Sequence, residues 1–379
     1  MGEGSNDNSV GAAGAVRHIY VHIPFCARIC PYCAFYKERA DPALANRFCE
    51  ALLAELTAAS AGVHLRPETI FFGGGTPTAL TTAQLDLLVT GFQERLDLSR
   101  LQEWTFEANP GSVSERKARL LRDAGVNRIS LGVQSFDDVL LELLGRDHSA
   151  AQAESTFRLL RLSGFENLNL DLMFGLPGQT LAQWEASLQR ALALQPDHLS
   201  TYCLTYEEDT EFLQRYNHGE FRSDPEADAD FFLLADDLLG DAGFEHYEVS
   251  NYARPGFESA HNRAYWSGHD YLGIGPSAVS TVGQRRWQNI SDYRSYTERV
   301  LGGDSVSSNQ ELLTPEMKRI EAIALSLRTS HGIPASWIED RPNEIEELTR
   351  LGLMEPTTDR YVLTRAGRFL VDSVAEALL

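Results

Sequence analysis

The chain has 379 residues, 43% hydrophobic and 23% charged, which is enough for one large core and an accessory domain. Its formal net charge of -21 disfavours nucleic-acid backbones and anionic membrane surfaces as partners. No apolar run is long enough to form a membrane span, and the Gly-, Ser- and Asn-rich residues 1–16 carry neither a secretory signal nor a myristoylation site. We therefore expect a disordered tail over residues 1–16 and a cytoplasmic protein.

Strand and helix patterns alternate along the chain at intervals of roughly 30 residues, the length of one βα unit. The predicted strands cover residues 19–25, 68–74, 104–109, 128–135, 167–175 and 198–206. Helices are predicted at 45–59, from 82, at 114–125, twice after the fourth strand, and at 181–194. Six such units predict an α/β fold with a parallel sheet, either open or curled into part of a barrel.

Polar residues and glycines cluster where these strands end. Cys26 follows the first strand, the run 73–77 (GGGTP) ends the second, Glu107 and Asn109 end the third, Gln134 ends the fourth, and Asp171 lies within the fifth. Ligands of parallel sheets bind at the carboxyl ends of the strands. The pattern therefore predicts a site for a polar small molecule at this edge.

Three cysteines, Cys26, Cys30 and Cys33, lie in the stretch HIPFCARICPYCAFYKE. A structural zinc site usually has four ligands, often in C-x2-C pairs, and a redox C-x-x-C pair would leave Cys26 unused. Three thiolates suit a [4Fe-4S] cluster with one iron left open for a cofactor, so the spacing favours a cluster over both alternatives. Cys49 and Cys203 fall in a helix and a strand pattern and are interpreted as buried small apolar residues.

The motif C-x3-C-x2-C, with Tyr32 before its last cysteine, resembles the signature of the radical S-adenosylmethionine (SAM) superfamily. The segments YVHIPFC, GGGTPT, GVQSF, LGRDHS and LDLMFGLPGQT are similar to the oxygen-independent coproporphyrinogen III oxidase family. HNRAYW and YLGIGPSA are similar to the haem-chaperone branch of that family. The resemblance implies a partial (β/α)6 barrel, a [4Fe-4S] cluster, SAM, haem as cargo, acceptor haemoproteins, and an electron donor if SAM is cleaved.

The resemblance also implies which residues contact SAM. These residues are Tyr20, Tyr32, Gly74, Gly75, Thr76, Glu107, Gln134, Arg146 and Asp171. Glu107 would bind the amino group of SAM, and the glycines would let the main chain approach its methionyl end, which a side chain would block. Three alternatives remain: the glycines form only a tight turn, Tyr20 belongs to the core, and Arg146 pairs with Asp171 as a structural ion pair.

Two further features separate the members of this family. The true oxidases resemble C-x3-C-x2-C-x-C, with a fourth cysteine two residues after the third. In this sequence Phe35 stands at the position of that fourth cysteine. HNRAYW supplies His261 as a candidate haem ligand and Tyr265 and Trp266 as rings that stack on a macrocycle. His269 and Cys203 are lesser candidates for the iron ligand.

The predicted domains are a radical SAM core with a family-specific extension at 17–290, a linker at 291–312, and a winged-helix-like domain at 313–379. Acidic residues in the last domain argue against DNA. The leading interpretation is a haem chaperone that delivers haem to acceptor proteins. The alternatives are a radical SAM enzyme that decarboxylates a porphyrin or opens the haem ring, and a winged-helix regulator that senses iron or redox state.

Overall fold

The structure is a computed structural model that describes residues 15–379. Its first half alternates strands and helices, which confirms the predicted α/β pattern. The strands are β1 (Val16–Ile23), β2 (Leu65–Gly74), β3 (Glu103–Ala108), β4 (Arg128–Gln134), β5 (Asn167–Phe174) and β6 (His198–Cys203). The helices between them are α1 (Pro42–Gly62), α2 (Thr82–Arg95), α3 (Glu115–Asp123), α4 (Asp138–Leu143), α5 (Ala150–Leu162) and α6 (Leu181–Ala193).

Strands β1 to β6 pair in parallel and in chain order. Right-handed crossovers between strands in this order put the helices on one face of the sheet, as in a barrel. The two faces differ in chemistry because successive side chains of a strand alternate. In β4, Ile129 and Leu131 join the buried apolar core, whereas Arg128 and Ser130 point to the other, inner face.

Local sequence fixes where several helices begin. Helices α2 and α5 start with capping boxes in which Thr81 pairs with Gln84 and Ser149 pairs with Gln152. In each box the hydroxyl accepts from the third helical N–H and the glutamine accepts from the cap N–H. These helices are thereby set at the carboxyl ends of the strands that precede them.

The sheet is larger than the sequence predicts, because further strands extend both of its sides. The chain continues with α7 (Glu211–Asn217), α8 (Pro225–Asp241), β7 (Glu245–Glu248), β8 (Asn251–Ala253), α9 (Ala260–Trp266), β9 (Tyr271–Ile274), β10 (Val279–Val282) and β11 (Arg285–Asn289). Strand β9 pairs in parallel with β1, and β8 pairs antiparallel with β6. The result is an open sheet of twelve strands within the described residues, the last of them β12 (Ser307–Leu312), in the order β12-β11-β10-β9-β1-β2-β3-β4-β5-β6-β8-β7.

The segment 291–312, predicted as a linker, is structured and belongs to the large sheet. It forms α10 (Tyr293–Gly302) and β12 (Ser307–Leu312), and β12 pairs with β11. Asp292 caps α10 at its start, and the left-handed Gly303 ends it. At the other end of the core, Val16 already opens β1, and residues 1–14 of the predicted tail lie outside the described part of the chain.

A small second unit follows and has its own apolar cluster. Its elements are α11 (Pro315–Leu327), β13 (Ile333–Pro334), α12 (Pro342–Arg350), β14 (Met354–Pro356), β15 (Arg360–Leu363), α13 (Arg365–Phe369) and α14 (Val371–Leu378). Its strands form a three-stranded antiparallel sheet. Arg365 joins the unit to α8, with its Nε 2.8 Å from Asp236 Oδ2 and its Nη2 2.7 Å from Asp237 Oδ1.

None of the helices within residues 15–379 is both long enough and apolar enough to cross a membrane.

Candidate functional site

The three cysteines lie in a loop that follows β1 and is held by main-chain hydrogen bonds. Cys26 N donates to Glu38 O at 3.0 Å, and Glu38 N donates to Pro24 O at 2.7 Å. On its other side, Thr76 N donates to Phe25 O at 2.8 Å. Main-chain groups therefore tie the loop both to itself and to the turn after β2.

All three thiols are free and partly exposed, and they line one cleft. Among residues 15–379, no three His, Cys, Asp or Glu side chains converge closely enough to hold a single metal ion. A cluster does not need such convergence, because each of its thiolates binds a different iron. The donor set and the loop therefore fit a [4Fe-4S] cluster better than a mononuclear zinc ion.

The glycines after β2 are required by close packing against the cysteine loop. A Cβ on Gly74, whose φ is +98°, would lie 2.4 Å from the ring of His22. A Cβ on Gly75 would lie 2.7 Å from the carbonyl carbon of Pro24 and 2.9 Å from Phe25 O. The structure thus gives a reason for these glycines that the sequence did not suggest, since a side chain would strike the protein itself.

Polar side chains from three strand ends connect the cysteine loop to the cleft. Asn109 donates from Nδ2 to Thr76 Oγ1 at 2.9 Å and accepts from Arg146 Nη2 at 2.7 Å. Arg146 also donates to Gly132 O at 2.6 Å and places Nη1 3.6 Å from Cys30 Sγ. Arg146 therefore puts a positive charge beside a thiol and makes no ion pair with Asp171, so the structural ion pair proposed from sequence is not formed.

Gln134 reaches the cleft through an unusual backbone conformation. Its φ is +68°, in the left-handed region that residues other than glycine rarely adopt. The pairing of β4 with β5 shifts register between Gly132 and Gln134, which marks a bulge at the end of the strand. Bulges of this kind redirect side chains at functional edges, and here Gln134 lines the cleft.

Two carboxyl groups, Glu107 and Asp171, lie partly buried on the inner face. Burial raises the pKa of Glu107 to about 8, with a further contribution from the negative charge of Asp171. The Gly74 N–H, 3.2 Å from Glu107 Oε2, opposes this shift. Burial also raises the pKa of Asp171, against hydrogen bonds from neighbouring polar side chains. A cationic ligand group placed here would stabilise both ionised carboxylates.

The cleft that these residues line has a volume of about 600 Å³, within the size range of small-molecule sites. It contains the three cysteines and eight of the nine residues predicted to contact SAM, namely Tyr32, Gly74, Gly75, Thr76, Glu107, Gln134, Arg146 and Asp171. Tyr20 is the exception. It lies on the inner face of β1, and its hydroxyl is 3.1 Å from His22 Nδ1.

Phe35, at the position of the missing fourth cysteine, also lines the cleft and is 69% exposed. The side chain is therefore not needed for packing. Cys203 lines the cleft as well, whereas Cys49 is fully buried in α1. Of the two cysteines interpreted as buried, only Cys49 is.

The predicted haem residues lie elsewhere, on α9. The amino end of this helix is bound by Glu103, the first residue of β3, which accepts from the N–H groups of Ala260 and His261. That is the amino end of the parallel strands, opposite to the cysteine loop. His261 contacts Phe71, with ring centroids 5.2 Å apart, and burial lowers its pKa to about 3. Tyr265 is 44% exposed, and Trp266 lies against it at 5.4 Å.

Asn109 and Arg128 also line the cleft, although neither was among the predicted site residues. Asn109 was noticed only as a strand end, and Arg128 was not considered. Arg128 lines the cleft although it is only 2% exposed, and its Nε has no hydrogen-bond partner among the described residues. The alternation of RISLGVQ, which puts Arg128, Ser130 and Gly132 on one face, is the signal that could have found it.

Comparison with known proteins agrees with this arrangement. Residues 20–191 match the model of the Radical SAM superfamily. The chain is 35% identical over 370 residues to the heme chaperone HemW of Lactococcus lactis subsp. lactis, covering 95% of this chain and 96% of the relative. It is 35% identical over 379 residues to the heme chaperone HemW of Bacillus subtilis, covering 96% and 99%.

A solved structure is similar in fold. The radical SAM enzyme coproporphyrinogen III oxidase (HemN) of Escherichia coli matches with a TM-score of 0.83 at 24% identity, over 96% of this chain and 90% of that one. The predicted radical SAM fold is therefore confirmed. With relatives of this identity along nearly its full length, the chain belongs to the HemW family of radical SAM proteins.

Proposed function

We propose that this protein is a cytoplasmic haem chaperone that binds one [4Fe-4S] cluster, SAM and haem, and delivers haem to acceptor haemoproteins. The observation that supports it most is the convergence of the three cysteines and eight predicted SAM contacts on one cleft. The relatives named heme chaperone support the cargo, because their similarity extends over both the core and the small second unit.

Within the cleft, the thiolates of Cys26, Cys30 and Cys33 would hold three irons and leave the fourth open to SAM. Glu107 would accept from the ammonium group of SAM, which lowers the pKa of that carboxyl from about 8 and releases its proton. The guanidinium of Arg146 offsets the negative charge of the thiolates beside Cys30. When reduced by an electron donor, the bound cluster and SAM would supply a 5′-deoxyadenosyl radical.

The absence of a fourth cysteine favours a chaperone over a coproporphyrinogen decarboxylase. Phe35 occupies that position at the mouth of the cleft and has no thiol to offer. Haem would instead be carried at α9, where Tyr265 and Trp266 provide aromatic surface and His261 is a candidate for the imidazole on which binding depends.

The test is performed on protein that is purified and reconstituted without oxygen. We expect about four irons per chain, a stoichiometric haem complex, and transfer of that haem to apomyoglobin as a generic acceptor. Cys26→Ala should abolish the cluster, whereas the buried Cys49→Ala is the matched control that should keep it. Coproporphyrinogen III, SAM and a reductant should give no decarboxylated product. Formation of that product, or failure to take up haem, would contradict the proposal.

A further inference from the structure

Three histidines and a threonine form a continuous hydrogen-bond chain at the amino end of the parallel strands. His269 Nδ1 lies 3.3 Å from His18 Nε2. His18 Nδ1 lies 2.9 Å from Thr69 Oγ1, and Thr69 Oγ1 lies 2.8 Å from His261 Nδ1. The four residues come from β1, β2, α9 and the loop after α9, so only the folded chain brings them together.

This hydrogen-bond chain leads from the solvent-exposed surface into the protein. His269 is exposed, whereas His18 and Thr69 are 6% and 1% exposed. The rings of His269 and His18 are inclined by 21° with centroids 5.4 Å apart. With facing nitrogens only 3.3 Å apart, the two rings meet edge to edge rather than face to face. His269 Nδ1 is thus occupied, and Nε2 makes no hydrogen bond to any described residue.

His269 follows directly on α9, the helix that carries Tyr265 and Trp266. The His269 N–H donates to Ala264 O at 3.1 Å, which fixes the loop to the end of α9. The neighbouring Tyr265 is 44% exposed and contacts both Trp266, at 5.4 Å, and Tyr271, at 5.6 Å. An exposed imidazole on the loop that follows an exposed tyrosine has the chemistry to ligate iron, and the tyrosine ring can contact a flat macrocycle.

We propose that His269 ligates the iron of haem through Nε2, and that His18, Thr69 and His261 are positioning residues that hold its ring. This assignment rests on haem being the cargo of the protein. A metal-ligating histidine generally donates its second N–H to a fixed acceptor, which selects the tautomer and orients the ring. His18 Nε2 is such an acceptor, and it is already in place in the protein without haem.

When His269 Nε2 binds iron, every hydrogen bond of the hydrogen-bond chain has one donor and one acceptor, and all of them point from His269 towards His261. With the lone pair of His269 Nε2 on iron, the proton of His269 lies on Nδ1 and is donated to His18 Nε2. His18 then donates from Nδ1 to Thr69 Oγ1. The Thr69 hydroxyl donates to His261 Nδ1. No electron is transferred and no covalent bond breaks, so iron binding only sets the direction of existing hydrogen bonds.

This arrangement gives His261 a role other than direct ligation. Its Nδ1 is bound to Thr69, and its ring lies against Phe71 and, at 6.4 Å between centroids, against His18. Loss of His261 would free the end of the chain and loosen His269. A haem defect in a His261 variant therefore does not by itself identify the ligand.

The experiment titrates ferric haem into the wild type, His269→Ala, His261→Ala, Thr69→Val and Thr69→Ser. The control is His218→Ala, which removes another exposed histidine. We expect His269→Ala to change the Soret spectrum and weaken binding by more than tenfold, with free imidazole restoring the wild-type spectrum. Thr69→Val should keep histidine ligation but weaken binding by about tenfold and shift the iron–histidine vibration, and Thr69→Ser should restore both.

The outcomes separate the two proposals. A wild type that binds no haem would contradict the haem-chaperone proposal and this assignment together. A wild type that binds haem, with His269→Ala unchanged in both spectrum and affinity, would overturn the ligand assignment alone. Loss of the histidine spectrum in His261→Ala that free imidazole rescues, while His269→Ala keeps it, would assign the iron to His261 instead.

Discussion

The substitution Gly75→Ala tests whether the turn after β2 holds the cysteine loop by contact of main chain with main chain. The added methyl group would lie 2.7 Å from the carbonyl carbon of Pro24, 2.8 Å from Ile23 O and 2.9 Å from Phe25 O. These are backbone atoms, so no side-chain rotation relieves the overlap. The loop must move away, and it carries Cys26 with it.

The expected cost follows from these contacts. Overpacking of this kind costs about 1–3 kcal/mol. Displacement also weakens the bond from Gly75 N to Ile23 O, at 2.8 Å, which contributes about 1 kcal/mol. The lower entropy of an alanine in the unfolded chain offsets about 0.4–1 kcal/mol. We therefore expect the free energy of unfolding to fall by about 2 kcal/mol, together with a lower iron content after reconstitution.

Gly111→Ala is the matched control, since a Cβ on Gly111 meets no atom within 4 Å and its φ is not positive. Urea unfolding of the apoprotein gives the two free energies, and iron analysis after anaerobic reconstitution gives the cluster content. Gly111→Ala should keep the full iron content and, through the same entropy effect, should raise the free energy of unfolding by at most about 1 kcal/mol. Equal stability and full iron content in Gly75→Ala would refute the argument that this turn positions the loop.

Four further predictions concern charged groups and pKa values. Because the pKa of Glu107 is raised to about 8 in the fold, the ligand-free protein should lose stability as pH rises from about 4.5 through about 8. Glu107→Gln should lose less stability over this range. In urea unfolding, the two losses between about pH 6 and about pH 9 should differ by a few kcal/mol. For the same reason SAM affinity in calorimetry should rise with pH over that window in the wild type and stay flat in Glu107→Gln. Arg146→Met removes the cation beside Cys30 and should lower the midpoint potential of the cluster, with Arg146→Lys intermediate; an unchanged potential would show that this charge is screened. Arg365→Ala should cost at most about 1 kcal/mol because the pair is partly exposed, yet it should speed proteolysis between the core and the small unit, an effect that high salt reproduces in the wild type.

The sequence predicted the central six strands because each combines strong apolar alternation with a clear turn. Strands β7 to β11 were not predicted because they are only three to five residues long, which is too short for a periodic pattern. The segment 291–312 was interpreted as a linker from its Ser, Gly and Asp content. Those same residues include the caps of α10, and its buried Tyr293 and Tyr296 were the signal that composition concealed.

The site shows a similar division. Residues in contiguous motifs, such as Cys26 and Thr76, were found because their chemistry is visible in a short window. The partnership of His269 with His18 spans 251 positions and depends on β9 pairing with β1, which nothing in the local sequence indicates. Arg128 was missed because a charged residue at the start of a strand is usually solvated, whereas here the strand begins inside the cleft.

The main-chain bonds around the cysteine loop bear on how the protein would survive oxygen. Cys26 and Glu38 are joined across the loop, and Thr76 is joined to Phe25, by groups that are indifferent to the oxidation state of any metal. For the proposed cluster, oxidative damage would then remove iron and sulfide while the scaffold that receives them stays folded. Repair in place would need only new inorganic components and reduced thiols. One polypeptide would therefore outlast many clusters.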